Sequence, residues 1–137
     1  MPTLYLIIGI PGAGKSTMAR KIIYNAKNPI VHYEADMFFE QEGSYNFNRN
    51  LLWKAHLWCQ QKTEEAMKAG VDVIVSNTSL TPRERRVYLA LAKQYHYNVE
   101  VITCTGNYKN IHGVPDETLE RMKERFVPYT EQELENA

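Results

Sequence analysis

Gly9-Ile10-Pro11-Gly12-Ala13-Gly14-Lys15-Ser16 satisfies the pattern G-x-x-x-x-G-K-[ST] at every specified position. Before it stands the short apolar run Leu4-Tyr5-Leu6-Ile7-Ile8, which reads as a buried strand ended by Gly9. After it, a helix is expected from Lys15 to about Asn28, stopped by Asn28-Pro29. Each residue type has a physical task. The glycines let the backbone bend and bring its N–H groups against the oxygens of an anion. The start of the helix turns the positive end of its dipole toward the same anion. Lys15 supplies a cation for β- and γ-phosphates, and Ser16 a hydroxyl for Mg²⁺. Gly9, Pro11, Gly12, Ala13, Gly14, Lys15, Ser16 and Thr17 are therefore expected to bind ATP, with Ser16 as the metal ligand. A glycine-rich turn of structural use alone is the alternative, and the agreement of strand, loop, Lys-Ser pair and helix speaks against it.

The rest of the chain continues the alternation of strand and helix. Ile30–Glu34, Val71–Val75 and Val99–Ile102 are the further strand candidates. Helices are expected from about Asn48 to Ala69, with Asn48 as N-cap and Gly70 as the stop, from Thr81 to about Tyr95, and from Pro115 to about Phe126. Thr81-Pro82-Arg83-Glu84 fits a capping box with Pro in the first turn. Glu40–Asn48 is expected to be a loop and Glu131–Ala137 a polar tail. Such alternation implies an α/β fold with a parallel sheet covered by helices on both faces. With 137 residues and no repeat, low-complexity tract or linker, residues 1–137 are expected to form a single domain.

Composition narrows the functional classes. Lys plus Arg and Asp plus Glu are 16 each, so the formal net charge is zero. That balance argues against a protein that coats nucleic acid non-specifically, since such binding depends on many phosphate neutralisations. No segment reaches the roughly 18 apolar residues of a membrane span, and Leu4–Ile8 is too short for a signal-peptide core. Cys59 and Cys104 have no paired spacing, which fits a reducing, cytoplasmic setting. No feature points to an obligate protein partner.

In open parallel sheets ligands bind beyond the carboxyl ends of the strands, so the residues there are the candidates. Asp36, after the second strand, is placed to accept the proton of an attacking hydroxyl; the alternative is a cap for the next helix. Glu34 is a rival at the strand end. Ser76, Asn77 and Thr78 follow the third strand, where they hold a metal-bound water, orient a substrate, or form a polar turn; no acid ends this strand, because Asp72 lies at its start. Arg83, Arg85 and Arg86 form a basic cluster that contacts substrate phosphates or is a solvated face. Lys109 and His112 follow the fourth strand, where a lid cation belongs, with Lys109 expected to be catalytic. Trp53, His56, Trp58 and Cys59 share the long helix and are expected to pack in core or groove.

Together these stretches carry a resemblance. Gly9–Thr17, Ala35-Asp36-Met37-Phe38-Phe39, Gly43–Asn48, Ala55-His56, Asn77-Thr78 and Asn110–Pro115 with Met122 and Arg125 resemble the polynucleotide 5′-hydroxyl kinase branch of P-loop kinases. They are equally similar to the related short AAA-type phosphotransferases of phages, bacteria and animals. The resemblance implies the three-layer α/β sandwich of P-loop NTPases, with four parallel core strands in the order 2-3-1-4. It implies ATP and Mg²⁺ as cofactors, a hydroxyl-bearing acceptor, Asp36 as base, and Asn77 and Thr78 with Arg83 and Arg86 on the substrate side. Three positions depart from the pattern. Ala35 stands where many relatives have an acid, and Asn77 where the polynucleotide kinases have an Asp. The lid segment Cys104–Gly113 has Lys109 but no Arg, so Arg121 or Arg125 is the alternative cation. The expected activity is transfer of the γ-phosphate of ATP to a hydroxyl, foremost the 5′-hydroxyl of a nucleic acid or nucleoside. A sugar or antibiotic kinase, or a non-catalytic ATP-binding module acting through a protein partner, are the alternatives.

Overall fold

The computed structural model describes residues 1–41, 43–106 and 113–137. Four strands, β1 (Thr3–Ile8), β2 (Ile30–Tyr33), β3 (Asp72–Val75) and β4 (Asn98–Thr103), form one parallel sheet in the order β2-β3-β1-β4. Among the described residues five α-helices accompany them: α1 (Lys15–Asn25), α2 (Leu52–Lys68), α3 (Pro82–Gln94), α4 (Asp116–Arg125) and α5 (Glu131–Asn136). β1 is the middle of the structure, paired with β3 through Leu4↔Val73 and Leu6↔Val75, and with β4 through Leu6↔Val101 and Ile8↔Thr103.

The apolar run of β1 is continuous because both faces of the sheet are covered. Leu4, Leu6 and Ile8 point to one face, where with Val73 and Val75 they meet Ala55, Cys59, Tyr88, Leu89 and Ala92 from α2 and α3. Ile7 and Ile74 point to the other and pack with Ala19, Met18 and Ile22 of α1. Three layers result, as the order of elements implies.

Several expectations shift at their edges. α1 ends at Asn25, three residues early, and Asn48 caps a 3₁₀ turn at Arg49–Leu51 that precedes α2 instead of capping α2 itself. Ala35–Glu40, unassigned from sequence, forms a 3₁₀ helix. The expected polar tail is the helix α5, closed by a capping box between Thr130 and Glu133 and fastened by a 2.8 Å ion pair between Glu133 and the fully buried Arg85. At α3, Thr81 accepts a hydrogen bond from the Glu84 N–H, but the Glu84 carboxylate accepts from the Leu80 N–H and pairs with Arg125, so the box expected there does not close.

Candidate active site

Parallel strands in register bring their carboxyl ends to one edge of the sheet. There β1 runs into Gly9, β2 into Glu34, β3 into Ser76 and β4 into Cys104. The phosphate loop is bracketed on both sides: the Gly9 N–H donates to the Thr78 carbonyl (3.1 Å), and the Gly106 N–H to the Ala13 carbonyl (3.0 Å). The Cys104 carbonyl lies so near that a Cβ on Gly9 would stand 2.7 Å from it, so only glycine fits.

The N-terminus of α1 differs from those of α3 and α5. Thr81 and Thr130 cap the latter two through their side chains, with Glu84, Glu131 and Glu133 in the first turns. α1 starts from Gly14 in the left-handed region (φ 100°), has no side-chain cap and no acid in its first turn. Its first N–H groups are thus left for an external acceptor, the arrangement an anion fits. The Lys15 ammonium folds back on the loop, donating to the carbonyls of Gly9 (2.8 Å) and Ile10 (3.0 Å). Burial lowers its pKa, against the upward pull of Glu34, Cys104 and Asp36.

A cleft of about 770 Å³ opens from this loop, within the range of small-molecule sites. Its lining includes Pro11, Gly12, Gly14, Lys15, Ser16 and Thr17 on one side, Glu34, Ala35 and Asp36 on another, and Ser76, Asn77 and Thr78 between them. Most of the expected phosphate, base and substrate residues therefore meet in one space. Gly9 and Ala13 face a second cavity of about 420 Å³ on the β4 side of the loop, shared with Pro11 and Gly12 and closed by Leu119, Lys123 and Phe126 of the α4 segment.

Asp36 sits in the first turn of the 3₁₀ helix, whose N-cap Glu34 makes no side-chain capping bond; the Tyr45 hydroxyl donates to Asp36 Oδ1 at 3.3 Å. Asn77 is nearly buried. Its Oδ1 accepts from the Ala35 N–H at 2.7 Å, and its Nδ2 donates to the Tyr88 hydroxyl at 3.4 Å. It braces the turn that carries Asp36. Ser76 Oγ donates to Glu34 Oε2 at 3.1 Å, and His32 Nε2 lies 2.5 Å from the same hydroxyl. Burial lowers the His32 pKa, which favours the neutral ring. Since Ser76 has one proton, already given to Glu34, His32 donates through Nε2–H.

Other candidates lie elsewhere. Arg83 and Arg86 are exposed and do not line the cleft, while Arg85 is wholly buried, donating from Nε to the Ser79 carbonyl (2.8 Å) and from Nη2 to Val127 and Leu80. The basic cluster is thus split by the turn of α3 into two outward arginines and one structural one. Arg121 bonds Thr118 within its own helix and Arg125 pairs with Glu84 at 2.8 Å; neither lines the cleft. Lys109 and His112 lie outside the described residues. Sequence reasoning passed over Arg20, which lines the cleft one turn beyond Ser16, although that i, i+4 spacing was a readable signal. It also passed over Leu52, while Tyr45, Phe47, Val114 and Met122, which line the cleft too, entered only through the resemblance and with no role assigned. His56 lines the cleft too, and burial lowers its pKa against the pull of Glu84 and Asp36.

Sheet order, uncapped loop-to-helix junction and cleft define the class: this is the fold of the P-loop kinases. The family model AAA_33, an AAA domain, matches residues 4–129, and the chain belongs to that family. It is 32% identical over 133 residues to human NEDD4-binding protein 2, a match that covers 90% of this chain and only 8% of that protein. Among solved structures it is similar to a chain of the Pnkp1/Rnl/Hen1 RNA repair complex (19% identity, TM-score 0.64, 98% of this chain and 42% of that one). It is likewise similar to the Mycobacterium tuberculosis APS kinase CysC in complex with AMPPNP and APS (15% identity, TM-score 0.57, 88% and 67%). Among the described residues no helix is long and apolar enough to cross a membrane.

Proposed function

We propose that the chain is an ATP-dependent phosphotransferase that moves the γ-phosphate to a hydroxyl, foremost a 5′-hydroxyl of a nucleic acid or nucleoside. One observation carries the reading: Lys15, behind an uncapped helix N-terminus, and Asp36 line the same cleft. A phosphate donor and a hydroxyl acceptor need such a pairing of cation and carboxylate.

The loop N–H groups and the start of α1 hold the β- and γ-phosphates, and the Lys15 ammonium exchanges its two loop carbonyls for phosphate oxygens. The donor set fits Mg²⁺: the Ser16 hydroxyl and the Glu34 carboxylate, held by Ser76, are hard oxygens on the same cleft. Among the described residues no group of three or more His, Cys, Asp or Glu gathers to hold a metal alone; this suits an ion that arrives with the nucleotide phosphates. When bound, Mg²⁺ supplies neutralisation of the charge on the β- and γ-phosphates. Asp36 orients the acceptor and takes its proton as the new O–P bond forms. The bond to the bridging oxygen breaks, and ADP carries the electron pair away. Arg20, and Lys109 from the segment after β4, are the cations assigned to the transferring group. Arg83 and Arg86, outside the cleft, would touch only a longer acceptor.

The nucleic-acid preference takes support from the likeness to a chain of an RNA repair complex. The test is γ-labelled ATP with Mg²⁺ against 5′-hydroxyl DNA and RNA, nucleosides, mononucleotides and simple sugars. Label on a 5′-hydroxyl class is expected; label on sugars alone would overturn the acceptor, and none on any acceptor would overturn the kinase.

A further inference from the structure

The acceptor side of the cleft has a feature that phosphoryl transfer does not require. Tyr45 and Phe47 are 46% and 53% exposed although both are large aromatic residues. Their rings lie near-parallel, 6.4 Å apart with 27° between planes. The nearly buried Phe39 stands edge-on behind both, at 6.3 Å from Tyr45 and 5.2 Å from Phe47. The Asn46 N–H between them donates to the Phe39 carbonyl at 2.8 Å, which fixes the loop to the 3₁₀ helix. Both half-exposed aromatic residues line the cleft, backed by Phe39. Leaving such rings in water forgoes part of their favourable burial, and exposed apolar clusters inside a cleft mark binding surfaces.

We infer that Tyr45 and Phe47 form a stacking platform for the nucleobase that belongs to the acceptor's own 5′-terminal nucleotide. The inference rests on the reading of this cleft as a phosphotransfer site. Tyr45 links platform and chemistry, since its hydroxyl bonds Asp36 while its ring forms part of the stack. In a nucleotide the 5′-hydroxyl and the base are separated by one ribose, so a hydroxyl presented to Asp36 carries its base toward these rings. The same lining holds the apolar side chains of Leu52, Val114 and Met122 as well as the polar ones of His56, Asn77 and Thr78. A base offers an apolar face to the rings and leaves its polar edge to solvent, and stacking of this kind tolerates any base.

The test compares a 5′-hydroxyl oligonucleotide with one whose terminal nucleotide lacks its base, with 2-aminopurine at that terminus as a fluorescent reporter of stacking. Binding is read without turnover. The wild-type protein is expected to bind the base-bearing end about 5- to 150-fold more tightly than the abasic end and to quench the reporter. Phe47→Ala removes most of that difference, and Phe47→Trp, which keeps a ring face, retains it. Equal affinity for both ends in the wild type, or an undiminished difference in Phe47→Ala, overturns the platform. The two readings fail separately. Base-dependent quenching without label transfer would sink the kinase and keep the platform; label transfer with equal KM for both ends would do the reverse.

Discussion

The two sides of the cleft are built from different materials. The donor side is backbone: a loop pinned between Thr78 and Gly106, a helix start without a cap, and one lysine folded on its own carbonyls. The acceptor side is side chains on a short 3₁₀ helix and loop: Asp36 steadied by Asn77 through the Ala35 N–H, Glu34 held by Ser76, and two open rings. Backbone N–H groups recognise phosphate whatever hydroxyl it is sent to. On the proposed function, the side chains opposite select which hydroxyl comes near it. The donor side is therefore built from a motif common to P-loop proteins, and the acceptor side from side chains whose placement depends on the tertiary fold.

Substitutions separate the two sides. Lys15→Ala is expected to abolish measurable ATP binding in titration calorimetry while the melting temperature holds; unchanged ATP affinity would break the donor side of the comparison. Asp36→Asn should lower turnover by about 10²–10⁴-fold, the range for a positioned base, with ATP affinity nearly constant. A smaller loss would move the base role to Glu34. Arg85→Met tests the scaffold alone. It leaves Glu133, 11% exposed, without its buried partner, so chemical denaturation should show a loss of about 3–5 kcal/mol, with ATP affinity of the folded fraction unchanged. Thr130→Ala removes the cap of α5 and should cost about 1 kcal/mol, the smallest of the four. A loss as large as that for Arg85→Met would mean that α5 depends on its cap more than on its ion pair.

The donor side was legible because its signals are local: strand, glycines, Lys-Ser and helix follow one another within a few residues. Sheet order was legible only through resemblance, since periodicity does not say which strand lies beside which. The roles of arginines were not legible. Arg83, Arg85 and Arg86 look alike in sequence, and the helical turn sends Arg85 inward to Ser79, Leu80 and Val127 while its neighbours face water. α5 escaped notice because Glu131–Asn136 has a single apolar residue; it is held by a capping box, a long-range pair with Arg85 and the packing of Leu134 on the core. The T-x-x-E signature occurs at both Thr81 and Thr130, and only the second closes, because Glu84 is drawn to Leu80 and Arg125. Asn77 reads as a substrate or metal contact and also serves as a brace beneath Asp36, a role visible only once β2 and β3 lie side by side.

The most direct test is ATP consumption with and without acceptor, in the wild-type protein and in Asp36→Asn. A site that joins a phosphate cradle to a hydroxyl-activating carboxylate predicts slow consumption in water and much faster consumption with a 5′-hydroxyl oligonucleotide. A 5′-phosphorylated control should give no stimulation, and Asp36→Asn should lose it. The same slow rate with every acceptor, and in both proteins, would contradict the account and leave a chain that holds ATP without transferring its phosphate.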